Sequence, residues 1–478
     1  MADVRKNFAY NLLLTVSNYL FPLIVYPYVS RVLGVENIGV CGFVDSVINY
    51  FVLFSQLGIG SFGVREIARC KDDPDRLEEV FSNLFLLNLV TFTVSAATLV
   101  ICTFTVPKFL PYRPFLLVGL LKLVFSLFLV EWFFQGIEQF RYITLRSIAV
   151  RAIYVIGVFA LVHNPGDTLI YYALTVGTVV LNATVNWRHT HRFCRLRPAR
   201  FRPAPFILPI LIFGYYRILT SMYTTFNTIY LGFVKDNVEV GFFTQATKLY
   251  SLIMAVFTAF TTVMVPRVSA MLHEGRRDEL SAVINRIVHL LVALAVPAIV
   301  FCVTNAPAIV HLVSGPGYEG AETPFRIVIF MLLVIGLEQI VIQQCLMASE
   351  NTKPTLYVST VGAVVGVMLN LILTPKLGAV GSAVSWGVSE LSVLAAGLFF
   401  LGKELRIRIA RTDFFRPFLF GLVYLVPAVV CLLWIPNIWW RLGVSIVLMA
   451  PFFFLVNLRW DANSLLEELK FALAKFRR

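Results

Sequence analysis

The stretch FAYNLLLTVSNYLFPLIVYPYV, residues 8–29, decides the fold class. It is long enough to cross the hydrocarbon core of a bilayer, which takes about 20 apolar residues of helix. Its polar positions Asn11, Thr15 and Asn18 recur every three or four residues, so they share one helical face. The run is too long for the core of a signal peptide and lacks a small-residue cleavage site, and it reads as an uncleaved first span.

Further apolar runs follow near 40–62, 80–106, 112–134, 142–163 and 167–187, then 206–233, 240–263, 284–313, 322–347, 354–375, 377–401, 415–435 and 438–457. Each is long and continuous where a barrel strand would alternate over about ten residues, so the sequence predicts an all-α integral membrane protein of about 14 transmembrane helices. The composition agrees. Of 478 residues, 58% are hydrophobic and 14% charged, and the mean hydropathy is +0.80. These values exclude a water-soluble globule and a large extramembrane catalytic domain. The seven cysteines are scattered without a C-x-x-C pair, which predicts buried thiols, with no disulfide frame or zinc site.

The net charge of +13 has a topological explanation. With the N-terminus inside, alternate connections collect Arg65, Arg69, Lys71 and Arg76, then Arg141 and Arg146, the run from Arg188 to Arg202, and Arg267, Arg276, Arg277 and Arg286. The opposite side keeps Arg31, Lys108, Arg113, Lys235, Lys376 and Arg441. The charge then divides into about +11 inside, about +2 in the membrane and about 0 outside, which places both termini in the cytoplasm and makes nucleic-acid binding unnecessary. Beyond the last span, Ser464 and Glu467 form a capping box, and Leu465, Leu469, Leu473 and Phe476 share a face, the pattern of an amphipathic helix on the inner leaflet.

An internal repeat organises the spans. A shift of 202 places Tyr28 on Tyr230, Gly39 on Gly241 and Arg65 on Arg267, and a shift of 212 places Ser147 on Ser359 and Gly166 on Gly378. The span pattern and loop charge repeat with them. The expected organisation is an N-lobe over 1–187, a basic linker over 188–205, a C-lobe over 206–401, two appended helices over 402–457 and a tail over 458–478. Parallel repeats of this kind are a transporter architecture with a central cleft between two pseudo-symmetric six-helix lobes.

No H-E-x-x-H, G-x-S-x-G or dinucleotide-binding fingerprint is present, and the G-x-x-x-x-G-K match at Gly397–Lys403 carries Glu404 where Ser or Thr is required. Intramembrane charge is more informative, because each such group costs about 2.5–3.5 kcal/mol on insertion scales. Lys122, Arg151, Arg217 and Lys248 lie deepest, with Arg31 and Arg326 nearer the outer mouth. Asn11, Thr15, Asn18, Asn49, Thr220 and Thr224 recur at helical spacing as a polar lining, and the acids at comparable depth are Asp45, Glu338 and Glu390. The bland alternative is a set of structural interhelical pairs.

Short segments throughout the chain resemble one family. They are RVLGVENIGV from Arg31, SFGVREIAR from Ser61, VGFFTQATKLY from Val240, VPRVS from Val265, NTKP from Asn351, and LGAVGSAVS from Leu377 through to Glu390. The resemblance is to the polysaccharide transporters, the Wzx-like O-antigen and oligosaccharide flippases of the MOP superfamily. It implies two six-helix bundles around a V-shaped cleft, and no enzymatic activity. The implied transport moves an undecaprenyl-diphosphate-linked oligosaccharide between the leaflets of a bacterial cytoplasmic membrane. Lys122, Arg151, Arg217 and Lys248 would then meet the diphosphate. No bound cofactor is expected. H+ or Na+ coupling through Asp45, Glu338 or Glu390, and drive by the membrane potential, stay open. The expected partners are the lipid-linked glycan, membrane lipids, and a polysaccharide polymerase with its chain-length machinery. The rival readings are a lipid II flippase of the same superfamily, a drug or cation antiporter, for which a cationic cleft is unsuitable, and a membrane glycan polymerase or ligase, which needs a larger external loop.

Overall fold

The computed structural model describes residues 2–197, 201–274, 276–347, 353–405, 407 and 409–460. The expected tail helix over 464–478, part of the basic linker and the side chain of Asn11 lie outside the described residues. The first half of the chain forms α1 (Ala2–Gln56), α2 (Ile59–Cys70), α3 (Pro74–Thr105), α4 (Arg113–Phe128), α5 (Glu131–Gly136), α6 (Phe140–Leu161), α7 (Thr168–Thr190), α8 (Ala204–Thr224) and α9 (Phe226–Val234). The remainder forms α10 (Asn237–His273), α11 (Arg277–Thr304), α12 (Ala306–Ser314), α13 (Glu322–Val328), α14 (Met331–Glu338), α15 (Lys353–Phe400), α16 (Arg411–Leu422), α17 (Leu425–Trp434) and α18 (Ile438–Trp460). Among the described residues there is no strand.

Among the described residues, ten helical stretches are long and apolar enough to cross a bilayer. The two longest, of 58 and 53 residues, bend at Gly34 (φ 77°) and Gly378 (φ 58°) and have length for two crossings each. With α10 and α18, of 37 and 23 residues, the helices accommodate the expected total of about 14. The chain is a multi-pass membrane protein. Large apolar side chains such as Leu433, Trp434, Trp440 and Val447 are exposed on α17 and α18, as a lipid-facing surface requires.

Contacts divide the chain into two compact units. The first comprises Met1–Gln245, Val313–Ala321 and Ser359–Ser389, and the second Ala246–Leu312, Glu322–Val358 and Glu390–Arg478. In the first unit α1 packs against α3, α4 and α6, and α4 against α7. An aromatic core gathers Phe62, Phe81, Phe85, Trp132, Phe133 and Phe134. In the second unit α11 packs against α14, α16 and α17, with Val300, Tyr424, Ala428 and Met449 buried together.

The 202-residue repeat is realised in a helix crossing inside the first unit. A Cβ added at Gly39 would overlap the Asn237 carbonyl oxygen and come within 2.9 Å of the Gly241 nitrogen, and one at Gly241 would overlap the Val35 carbonyl oxygen. Since 202 separates Val35 from Asn237 and Gly39 from Gly241, the two helices meet through equivalent positions. Small residues let the backbones approach this closely in a membrane, where packing stands in for hydrophobic drive. A related contact recurs in both repeats: Asn37 donates to the Pro165 carbonyl (3.3 Å), while Glu239, its counterpart under the 202 shift, accepts from the Ala379 N–H (2.7 Å), close to Leu377, the counterpart of Pro165 under the 212 shift. Four buried polar groups tie α9 to α15. Asn370 donates to Asn227 Oδ1 (2.6 Å), Thr374 donates to Asn370, and the Thr374 and Ser382 hydroxyls lie 3.1 Å apart.

The basic linker is strapped to the start of α3. Arg197 pairs with Asp75 (3.2 Å) and Glu78 (2.5 Å), its backbone N–H donates to Ser82 (2.9 Å), and that of Arg202 to Asn83 (2.6 Å). Burial, with Glu78 adding to it, pushes the adjacent Cys194 thiol up to about 12. All seven cysteines are free and six are buried.

Gly39→Ala is expected to destabilise the fold by about 1–3 kcal/mol through overpacking. A Cβ on Gly177, which meets nothing within 4 Å, should leave stability unchanged or slightly raised. Thermal unfolding of both purified variants in detergent measures the contrast.

Candidate functional site

Of the four deep cations, the structure pairs two within the first unit. Lys122 on α4 reaches Asp45 on α1 at 2.6 Å, and Asn49, one turn along α1, donates to the other Asp45 oxygen at 3.1 Å. Asp45 is thus the counter-ion of Lys122. Arg151 on α6 donates to Ser17 (2.6 Å) and to Asn18 on α1, so its charge is met by neutral oxygens and stays uncompensated by any carboxylate at that contact.

Arg217 on α8 and Lys248 on α10 are exposed, and neither forms an ion pair among the described residues. They belong to different units. Thr220 and Thr224 turn their hydroxyl protons onto the carbonyls of Tyr216 and Thr220, 3.0 Å each, and present only lone pairs outward. Thr15 is half-buried. Arg31 is exposed and runs beside Gly315. Arg326 is half-buried, donates to the Val303 carbonyl (3.3 Å) and lies 3.6 Å from Glu322. In the second unit Glu338, at the end of α14, and Glu390, on α15, are 9% and 3% exposed, and their carboxyls are hydrogen-bonded to each other.

A further buried charge escapes the sequence reading. Counting loop charges puts Arg146 in a connection, but it lies inside α6 and its side chain is 4% exposed. It pairs with Glu131 (2.6 Å), donates to Ser147 (3.0 Å) and to Asn186, and lies over the Tyr142 ring at 5.8 Å. Asn186 in turn donates to the Leu129 carbonyl. This network holds the break between α4 and α5, where Val130 takes a left-handed φ of 33°. Arg146 is therefore a helix-borne charge buried in protein and no solvated loop charge. The signal for it was the acid Glu131 at the end of an otherwise apolar run.

Among the described residues, the first unit holds deep cations beside polar helix faces and the second a buried carboxyl pair, groups suited to handling charge within a bilayer. Residues 4–272 match the family model described as polysaccharide biosynthesis protein. The chain belongs to this family. A second model, MatE, matches residues 214–372. As a polysaccharide biosynthesis family member the chain is similar to two curated proteins named putative O-antigen transporter. That of Escherichia coli (strain K12) is 24% identical over 84% of this chain and 97% of its own length. That of Shigella dysenteriae is 22% identical over 82% and 98%. Among solved structures, the fold resembles the lipid II flippase MurJ in an inward closed conformation, with a TM-score of 0.77, 14% identity, and coverage of 95% of this chain and 99% of that one. An inward-facing multidrug resistance MATE family transporter of the MOP superfamily gives a TM-score of 0.63, 15% identity, and coverage of 81% and 95%. The relatives are named as transporters and flippases, and the polysaccharide biosynthesis chain shares their all-helical fold.

Removing Arg146 while Glu131 remains leaves a carboxylate and the Asn186 oxygen without their donor. Arg146→Met is expected to cost about 2–4 kcal/mol, the upper end reduced because Glu131 is partly exposed. Adding Glu131→Gln should recover at least about 1 kcal/mol. Denaturation midpoints of the two single variants and the double variant give the coupling.

Proposed function

We propose that the protein is a flippase. It carries an undecaprenyl-diphosphate-linked oligosaccharide repeat unit, of O-antigen, capsule or exopolysaccharide, from the inner to the outer leaflet of the bacterial cytoplasmic membrane by alternating access. The observation that carries the substrate assignment is the contrast among intramembrane cations. Lys122 and Arg146 are neutralised by carboxylates, whereas Arg217 and Lys248 are exposed without an ion-pair partner among the described residues. An unpaired charge in the bilayer is expensive. A diphosphate that accepts charge-assisted hydrogen bonds gives a guanidinium in the first unit, or an ammonium in the second, a reason to stand there.

In this reading the two sequence repeats, 1–187 and 206–401, move against each other about the substrate, and both termini lie in the cytoplasm. A polymerase with its chain-length machinery would take the emerging glycan. Lipid II carries the same diphosphate, so the cations alone suit it equally. The O-antigen transporter names of the full-length relatives favour the oligosaccharide.

Replacing Arg217 and Lys248 by Ala, singly and together, should reduce export, with the double variant abolishing it at unchanged membrane abundance. Complete lipid-linked repeat units should accumulate inside, read by mass spectrometry of extracted lipids. Normal surface polysaccharide in the double variant overturns the assignment.

For energy coupling we propose the Glu338–Glu390 pair, since Asp45 is already committed to Lys122. Two adjacent buried carboxyls form a site that takes up and releases one monovalent cation, H+ or Na+, as access alternates. In membrane vesicles, an imposed H+ or Na+ gradient should accelerate transport by the native protein. Glu390→Gln should transport at the same rate with and without the gradient.

A further inference from the structure

Two tyrosines in corresponding connections of the repeats make reciprocal contacts. Tyr112 closes a short turn over Pro107–Tyr112, between α3 and α4, and Tyr318 lies in the connection between α12 and α13. They are 206 positions apart, between the shifts of 202 and 212 that relate the flanking segments. Each reaches out of its own repeat into the other. Tyr112, from the first repeat, donates its hydroxyl to Asn237 Oδ1 (2.7 Å) at the start of α10. Tyr318, from the second, donates to the Ser30 carbonyl (3.0 Å) on α1, just before its bend at Gly34. All four residues belong to the first compact unit.

The surroundings make these bonds matter. Tyr318 and Ser30 are 1% and 0% exposed, so a hydroxyl withdrawn from that carbonyl leaves a buried acceptor without its donor. The Ser30 hydroxyl reaches the Val313 carbonyl at 3.4 Å, and a Cβ added at Gly320 would overlap the Phe242 ring. The segment Val313–Ala321 is thus seated closely on the first unit. Lys108, on the turn that carries Tyr112, donates to the Lys235 carbonyl (3.3 Å). Gly315 and Gly317 take φ values of 81° and 87°, left-handed backbone that glycine adopts freely. The Tyr318 connection can therefore change path while α12 and α13 stay whole. The loop-charge count assigns this side, with Arg31, Lys108, Arg113 and Lys235, to the outside.

We propose that Tyr112 and Tyr318 are reciprocal latches, which hold the two repeats closed on the outer side and release when the cleft opens outward. The proposal rests on the alternating-access reading and adds to it the contacts that keep the loading protein shut to the outside. Each repeat supplies one latch and receives the other, so any separation of the repeats on this side stretches both bonds at once.

The test reads access to Ser314, which is 0% exposed beside Gly315. Its hydroxyl has no hydrogen-bond partner, so Ser314→Cys introduces a thiol without removing a bond. With Cys102→Ala, the six buried native thiols remain as an internal control on the fold. Spheroplasts of a host that makes no lipid-linked glycan are treated with a membrane-impermeant maleimide, and labelling is read site by site by peptide mass spectrometry. Tyr112→Phe and Tyr318→Phe should each raise the labelling rate at Ser314→Cys by about threefold to tenfold, the effect of losing one hydrogen bond, and the double variant should raise it further. A rate equal to that of the unlatched variants' parent, or labelling of the buried native thiols in step with the new one, overturns the latches. Supplying lipid-linked glycan separates this from the reading beneath it. With both tyrosines intact, glycan should raise labelling as the protein turns over. No rise overturns alternating access driven by the glycan, whereas the latches stand or fall on the tyrosine variants.

Discussion

The close crossing of α1 and α10 at Gly39 and Gly241 is the constraint on which the first unit depends. In water, two apolar helices associate because their surfaces leave the solvent. In lipid that drive is absent, and contact has to come from close packing and interhelical hydrogen bonds. A residue with a Cβ at either glycine would collide with backbone carbonyl oxygen on the other helix, so the crossing exists only because both positions are bare. Equivalent positions of two repeats meet at this point, which gives the duplication a physical meaning: one surface, used twice, packs against its own copy. Asn37 and Glu239 extend the same logic a few residues away, each catching the backbone of the next hairpin by a side chain of different chemistry.

Charge is handled by a second rule. A buried ion is tolerated when a partner of opposite sign or a fan of oxygens replaces its hydration. Lys122 has Asp45 and Asn49 beside that acid, Arg146 has Glu131, Asn186 and Ser147, and Arg151 has Ser17 and Asn18. These groups join α1 to α4, α1 to α6, and the α4–α5 break to α6 and α7. They are the interhelical hydrogen bonds that glycine packing alone does not supply. The same residues that look like a binding site in sequence thereby acquire structural work.

Much of this is legible in the sequence. Long apolar runs specify helices and their number because the bilayer fixes a minimum length. The match of Gly39 to Gly241 under a fixed shift marked the positions that later prove to touch. What could not be read was which polar residues share a partner. Asp45 and Lys122 are 77 positions apart, and periodicity reports only the face of each helix, never the face opposite it. Arg146 was misplaced for a related reason: loop-charge counting treats an arginine near a span end as solvated, and only the pairing with Glu131 reveals it as buried. The left-handed break at Val130 leaves no glycine or proline at that position to announce it.

The pairing of some cations also sharpens the meaning of those left over. Had all four deep cations been exposed, a diffuse positive field would have explained them, attracting any anion without selecting one. Because Lys122 spends its charge on Asp45 and Arg151 spends its donors on Ser17 and Asn18, Arg217 is the deep cation of the first unit whose donors stay open among the described residues. A guanidinium presents a planar fork of donors where an ammonium is a mobile point charge. Such a fork favours an oxyanion that accepts two hydrogen bonds at once, where a diffuse field would attract any anion.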